Sequence, residues 1–164
     1  MRPTPDPPGA GQESVWDYPR PPRVEPTDAV VEVRLGGQVV ARTREALRVL
    51  ETSHPPTYYL PVTAFADGVL RPATGSSNCE WKGEASYVDL VTPARTAARA
   101  GWTYPRPSPG FEALVDHLAV MPAAMDACTV DGEVVVPQEG GFYGGWITSR
   151  VVGPFKGGAG SWGW

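Results

Sequence analysis

Apolar and polar positions alternate with period two through Val30-Val31-Glu32-Val33-Arg34 and Gln38-Val39-Val40-Ala41-Arg42. A Leu35-Gly36-Gly37 turn joins the two runs, so the pattern predicts a β-hairpin. The next stretch, Thr43 to Glu51, fits two periods. Ala46, Leu47 and Leu50 are spaced for a short helix, whereas Leu47 and Val49 alternate as in a strand. Pro55 and Pro56 interrupt the chain before a β-like Thr57-Tyr58-Tyr59-Leu60 and Pro61. Gly75-Ser76-Ser77-Asn78 reads as a loop leading through Cys79-Glu80-Trp81-Lys82-Gly83 into a strand from Glu84 to Val91. On that strand Ala85, Tyr87, Asp89 and Val91 share one face, and Ser86, Val88 and Leu90 share the other. Trp102-Thr103-Tyr104 is a further short strand. One helix is predicted after Ser108: serine sits at the N-cap, Pro109 at the first helical position, and Phe111, Leu114, Val115 and Leu118 form one face. Cys128 to Val136 reads as a hairpin with an Asp131-Gly132 turn.

The two ends break this pattern. Residues 1–26 hold eight prolines and few apolar residues beyond Val15, Trp16, Tyr18 and Val24, which predicts an N-terminal arm. Its Val15-Trp16-Asp17-Tyr18-Pro19 centre is rich enough in rings to lie on the folded domain or on a partner. From Gly140 onward nine of 25 residues are glycine, interspersed with aromatic residues. Such a tail folds only by laying its backbone closely on something else. The expected organisation is therefore an arm over 1–26, a core domain over 27–138 and a Gly/aromatic extension over 139–164.

Composition sharpens the fold class. Leu, Ile, Val and Phe make up 33 of 164 residues, near the level at which chains stay disordered, but sixteen aromatic residues and a net charge of −4 favour folding. Valine outnumbers leucine and isoleucine together by more than two to one, which favours a β-rich core. No apolar run approaches a membrane span, and the first residues lack the apolar stretch of a signal peptide. A cytoplasmic protein without membrane contact is expected. A sequence pI near 5.2 without a basic cluster argues against nucleic acid as a partner.

Candidate chemistry is sparse. Gly158-x-Gly160-x-x-Gly163 matches the spacing of a dinucleotide loop but lacks the following helix that such a loop requires, and no P-loop is present. Cys79 and Cys128 are far apart and form no Cys-x-x-Cys pair, which fits a reduced compartment. With His54 and His117 they are single residues in four segments, so no metal site and no cofactor are expected. Twelve arginines stand against two lysines, and both lysines follow an aromatic residue and precede glycine: Trp81-Lys82-Gly83 and Phe155-Lys156-Gly157. Lys82 either pairs with Glu80 or Glu84 or reaches into a pocket as a compact charge for an anion. Cys79 is either a small buried hydrophobe or a thiolate activated by Lys82, although residues three apart on a strand face opposite sides unless the chain bends. His54, in a turn between Ser53 and Pro55, is the histidine better placed for function.

The Cys79-Glu80-Trp81-Lys82-Gly83-Glu84-Ala85-Ser86-Tyr87 segment, with Trp102-x-Tyr104-Pro105 and Tyr58-Tyr59-Leu60-Pro61, resembles the family called domain of unknown function 427. The likeness runs from about Val30 to Val120, and the tail from Gly140 to Gly157 is similar to that of longer bacterial members. The resemblance implies a β-tent fold, two small antiparallel sheets meeting at an angle. Zinc-binding relatives of that fold use two Cys-x-x-Cys pairs, which this chain lacks. An old label of the family suggests nucleotidyl transfer, but no paired carboxylates suited to Mg²⁺ occur here.

These readings combine into one expected site. A pocket between the sheets, lined by Tyr59, Cys79, Trp81, Lys82, Tyr87, Trp102 and Tyr104 and covered by Tyr143 and Trp146, is expected to bind a small polar or anionic molecule. Two alternatives belong to other classes. In one, Cys79 is a nucleophile or redox thiol with Lys82 or His54 as its partner. In the other, the aromatic arm and tail dock on another protein or a second copy, the chain being a monomer or homodimer.

Overall fold

The computed structural model describes residues 2–164. The protein is mainly β, with several antiparallel sheets and, among the described residues, only single 3-10 turns as helical structure. The largest sheet has seven strands. In spatial order they are β2 (Arg23–Pro26), β5 (Leu47–Leu50), β6 (Thr57–Pro61), β10 (His117–Val120), β9 (Thr96–Thr103), β8 (Gly83–Val91) and β7 (Leu70–Cys79). A four-stranded sheet is ordered β12 (Glu133–Val134), β11 (Ala127–Val130), β3 (Val31–Leu35) and β4 (Gln38–Thr43). Two short ladders complete the fold: β13 (Val136–Pro137) with β14 (Trp146–Ile147), and the parallel pair β1 (Glu13–Ser14) with β15 (Val151–Val152).

Both anticipated hairpins form, and their turns show why. Leu35 faces Gln38 across Gly36 and Gly37, both at positive φ, and Asp131 and Gly132 have φ of 48° and 83°. This left-handed pair matches the twist of the flanking strands. The ambiguous stretch after Thr43 resolves as strand β5, because Leu47 and Val49 pair with Tyr59 and Thr57 and bury one face there. The anticipated loop at Gly75–Asn78 instead belongs to β7, which absorbs an irregularity between Pro72 and Ser76.

The helix expected after Ser108 is not formed. One 3-10 turn, Glu112–Leu114, is followed at once by β10, and Asp116 between them sits at φ 59°. Phe111 and Leu114 are buried but Val115 is 44% exposed, so the apparent helical face is divided between a turn and a strand. Leu118 reaches the core as a strand residue, opposite Leu60.

The main core fills the space between the two large sheets. Val31, Val33 and Leu35 meet Tyr58, Leu60, Leu90, Leu118 and Val120, all within one buried cluster that includes Trp146. The N-terminal segment carries its own smaller cluster, in which Val15, Trp16 and Tyr18 pack on Leu50 and Val151. Trp16 Nε1 donates to the Pro154 carbonyl at 2.9 Å, and Tyr18 donates to Glu13 at 2.7 Å. Arg48, largely buried, holds Glu13 at 3.0 Å and also pairs with Glu25. Together these contacts replace the missing apolar content of a proline-rich stretch with specific polar anchors. Among the described residues no helix is long and apolar enough to cross a membrane.

Candidate functional site

Strand alternation sorts the aromatic residues of the large sheet. In β6, Tyr58 and Leu60 face the main core, so Tyr59 faces the opposite side; in β10, Leu118 and Val120 face the core and Ala119 the opposite side. Ala119 is registered with Trp102, Trp102 with Tyr87, and Leu47 with Tyr59. One sheet face therefore collects Tyr59, Tyr87, Trp102 and Tyr104 around Ala85, with Cys79 and Trp81 packed against the same cluster. The sequence-predicted lining residues do come together, but on the outer face of the seven-stranded sheet. The space between the sheets is occupied by the core. Trp146 leaves the group altogether: it is fully buried between the sheets, its ring 4.9 Å from that of Tyr58.

Hydrogen bonds between strands tie this face together. Trp102 Nε1 donates to the Tyr59 hydroxyl at 3.2 Å, and the Tyr59 and Tyr104 rings lie 6.3 Å apart. Burial raises the Tyr59 hydroxyl well above the ordinary tyrosine value and raises Tyr104 likewise. Both stay protonated at neutral pH and act as hydrogen-bonding groups, not bases. Tyr87 is held from two sides, with the Arg99 guanidinium 4.6 Å from its ring and its hydroxyl donating to Ser77 at 2.9 Å.

Lys82 reaches this face because the chain turns there. Cys79 is paired with Gly83, leaving Glu80, Trp81 and Lys82 as the turn. Gly83 has φ +108°, and an added Cβ would lie 3.2 Å from the Arg106 carbonyl oxygen. The Ser108 amide locks the turn by donating to the Lys82 carbonyl at 2.9 Å. Lys82 Nζ then stands 5.8 Å from the centre of the Tyr104 ring. Cys79 packs into the cluster that contains Tyr104, so the turn brings both groups to the same aromatic surface.

His54 lies beside a second aromatic surface built by the C-terminal segment. The Gln138 side chain ties the two together. Its Oε1 accepts from the Gly145 amide at 3.1 Å, while its Nε2 donates to the Lys156 carbonyl at 2.7 Å and meets His54 Nδ1 at 3.1 Å. An amide N–H can only donate and a carbonyl only accept, so the orientation of Gln138 is fixed. His54 Nδ1 must then accept, which leaves the imidazole hydrogen on Nε2, 3.7 Å from Glu51. Burial, reinforced by the positive charges of Lys156, Arg20 and Lys82, holds His54 far below the ordinary histidine value, at about 3. Arg20 in turn pairs with Glu51 at 3.4 Å.

The tail reaches this place by close backbone approach. An added Cβ at Gly144 would lie 2.3 Å from the Trp102 ring, and one at Gly145 would lie 2.5 Å from both Gln138 Oε1 and Pro55 Cγ. Between the two surfaces, Tyr143 sets its ring edge-on to His54 at 4.6 Å, and Lys156 Nζ stands 5.7 Å from the Tyr143 ring centre. Each of the chain's two lysines thus rests on a tyrosine ring, and the charges of both reach His54. Among the described residues neither lysine pairs with an Asp or Glu side chain, and Lys156 Nζ donates to the Trp164 main-chain oxygen at 3.4 Å.

The remaining candidates lie elsewhere. His117 Nδ1 bonds the Val115 carbonyl at 2.9 Å, and Cys128 sits in the main core. Among the described residues no group of three or more His, Cys, Asp or Glu is arranged to hold a metal ion. Burial pushes the Cys128 thiol up to about 12, whereas Cys79 is only half-buried. Treatment of the folded protein with iodoacetamide at pH 7.5 is therefore expected to give one adduct, on Cys79. Peptide mapping that finds Cys128 labelled at a comparable rate would contradict the packing described here. Gln138, Arg20 and Glu51 were invisible as site residues in the sequence. The one signal for Gln138 was a polar side chain directly after the apolar Val134-Val135-Val136-Pro137 run.

The molecule is thus a small, mainly β protein of several antiparallel sheets, with an aromatic cluster on the outer face of the largest. The family described as Domain of unknown function (DUF427) matches residues 23–131, from β2 to the turn after β11, and the chain belongs to that family. A comparison with curated proteins found no match. Lys82, Tyr59, Trp102 and Tyr104 lie within the matched residues, whereas Gln138, Tyr143 and Lys156 lie in the segment that follows.

Proposed function

We propose that this protein binds a small anionic molecule at the junction of the two aromatic surfaces, held by Lys82 and Lys156. The observation that carries this reading is the pair of lysines without Asp or Glu partners, both seated on tyrosine rings, whose charges both act on one neutral, buried histidine. Two like charges beside a third basic group repel one another, and a bound anion relieves that repulsion. Arginine is six times as frequent as lysine in this chain. A compact ammonium donates in any direction and fits a small oxoanion without the fixed fork of a guanidinium. Tyr59 and Tyr104 are buried beneath this place, and the half-buried Trp81 and Trp102 offer it aromatic surface of the kind that lines small-molecule sites. The two free thiols fit a protein working in the reducing cytoplasm.

The test uses inorganic phosphate as probe. Lys82→Gln is expected to weaken phosphate binding, measured by calorimetry at low ionic strength, at least about tenfold. Its melting temperature should stay unchanged, because Lys82 lies on a turn and forms no ion pair. Equal affinity in wild type and variant would remove Lys82 from the site.

A further inference from the structure

The C-terminal segment carries a small surface hollow with room for about one water molecule. It is lined by Tyr143, Lys156, Gly157, Ser161, Phe142 and Trp162. Phe142 and Trp162 are each 75% exposed, more than any other large apolar side chain among the described residues. Rings left in water beside a hollow mark a surface shaped for contact, since burying them yields more than burying scattered aliphatic groups. Polarity at the hollow is uneven. Lys156 Nζ lies at it, donating to the Trp164 main-chain oxygen at 3.4 Å and standing over the Tyr143 ring, with no Asp or Glu side chain paired to it.

The floor is built before any ligand arrives. An added Cβ at Gly140 would lie 2.4 Å from the Gly157 carbonyl oxygen, and one at Gly157 would lie 2.2 Å from that of Glu139. Backbone therefore lies directly on backbone. Ser161 clamps the turn, accepting from the Gly157 amide at 2.9 Å and donating to the Gly158 carbonyl at 2.6 Å. A rigid floor with a cation and two exposed rings selects for a ligand with a matching pair of features.

Resting on the reading of Lys156 as an anion-binding group, we infer that the ligand is an aromatic anion: its charge meets Lys156 and its planar ring stacks on Phe142 and Trp162. The anionic group carries the ligand to the lysines, and the ring decides which anion is retained. Stacking of this kind is worth about a tenfold preference over an anion without a ring.

The experiment compares benzoate, acetate and benzyl alcohol as probes on the full chain, followed by the indole N–H resonances of the tryptophans. Benzoate is expected to bind about tenfold more tightly than acetate. Trp162→Ala and Phe142→Ala are expected to close that gap while leaving acetate affinity unchanged, and Lys156→Gln to weaken both anions. Because Phe142 and Trp162 are exposed, these variants keep the fold. Acetate binding that depends on the lysines, with benzoate no tighter, would overturn the aromatic ligand and leave the anion site standing. Benzyl alcohol binding as well as benzoate would overturn it too, since the surface would then be a plain apolar patch. Absence of binding by acetate, benzoate and phosphate alike would overturn both the inference and the anion site.

Discussion

Lowering the pH from 7 to 5 is expected to destabilise the protein by about 2 kcal/mol through His54 alone. The sign follows from where the proton binds. In the unfolded chain His54 takes a proton near its ordinary value of 6.5, whereas in the fold burial and the charges of Lys156, Arg20 and Lys82 hold it at about 3. Below pH 6.5 the unfolded state therefore binds more protons, and stability falls by up to about 1.4 kcal/mol per pH unit. The groups around the ring work in both directions. Glu51, 3.7 Å away, favours an imidazolium, but Arg20 already neutralises it. Gln138 offers a donor to Nδ1 where an imidazolium would need an acceptor. Asp126, Asp131 and Glu133 are also held below the ordinary carboxylate range, chiefly by hydrogen bonds, and their loss adds to the decline only at lower pH. Denaturant unfolding at pH 7 and pH 5 measures the effect. In His54→Asn, whose side-chain oxygen takes over the Nδ1 acceptor position, the decline between these two pH values should largely vanish. An equal decline in both proteins would contradict a neutral, buried His54.

Much of the architecture was legible from short-range chemistry. The Gly36-Gly37 and Asp131-Gly132 turns have local causes, and so has the side alternation in β8, where Ala85 and Tyr87 share one face as expected. What failed was decided at longer range. Phe111, Leu114, Val115 and Leu118 have helical spacing, yet Leu118 completes a ladder with Leu60, a partner far away in the chain. Pairing in the sheet outweighed a local propensity worth only tenths of a kcal/mol per residue. The N-terminal segment shows the same rule in reverse. Its composition argues against ordering, but Trp16 and Tyr18 find Leu50 in β5 and Val151 and Pro154 in the C-terminal segment.

The candidate site was legible in its ingredients and not in its place. Tyr59, Trp102, Tyr104, Cys79 and Lys82 were found from residue type and turn context, and strand parity puts the first four on one face. Which face lines the core depends on how the two large sheets pack, and no local pattern specifies that. Trp146 illustrates the limit: next to Gly144 and Gly145 it reads as part of a covering tail, but it stacks on Tyr58 inside the core. Gln138 could not be recognised at all, since its role exists only once residues 54, 145 and 156 meet.

The largest functional effect is expected from removing both lysine charges. Each lysine keeps an attraction for an anion when the other is lost, so a single substitution leaves partial binding. With both gone the site retains His54 as a neutral donor and Arg20 already paired with Glu51. In Lys82→Gln/Lys156→Gln, phosphate affinity is expected to fall by about a hundredfold or more, two charge-assisted contacts of about 1.5–3 kcal/mol each being lost. The most direct measurement is a phosphate titration of wild type and this double variant, followed by the His54 imidazole and Trp102 indole resonances. Saturable shifts of both resonances in wild type, absent from a folded double variant, are the predicted result. No shift in wild type, or the same shifts in both proteins, would contradict an anion site between the two lysines.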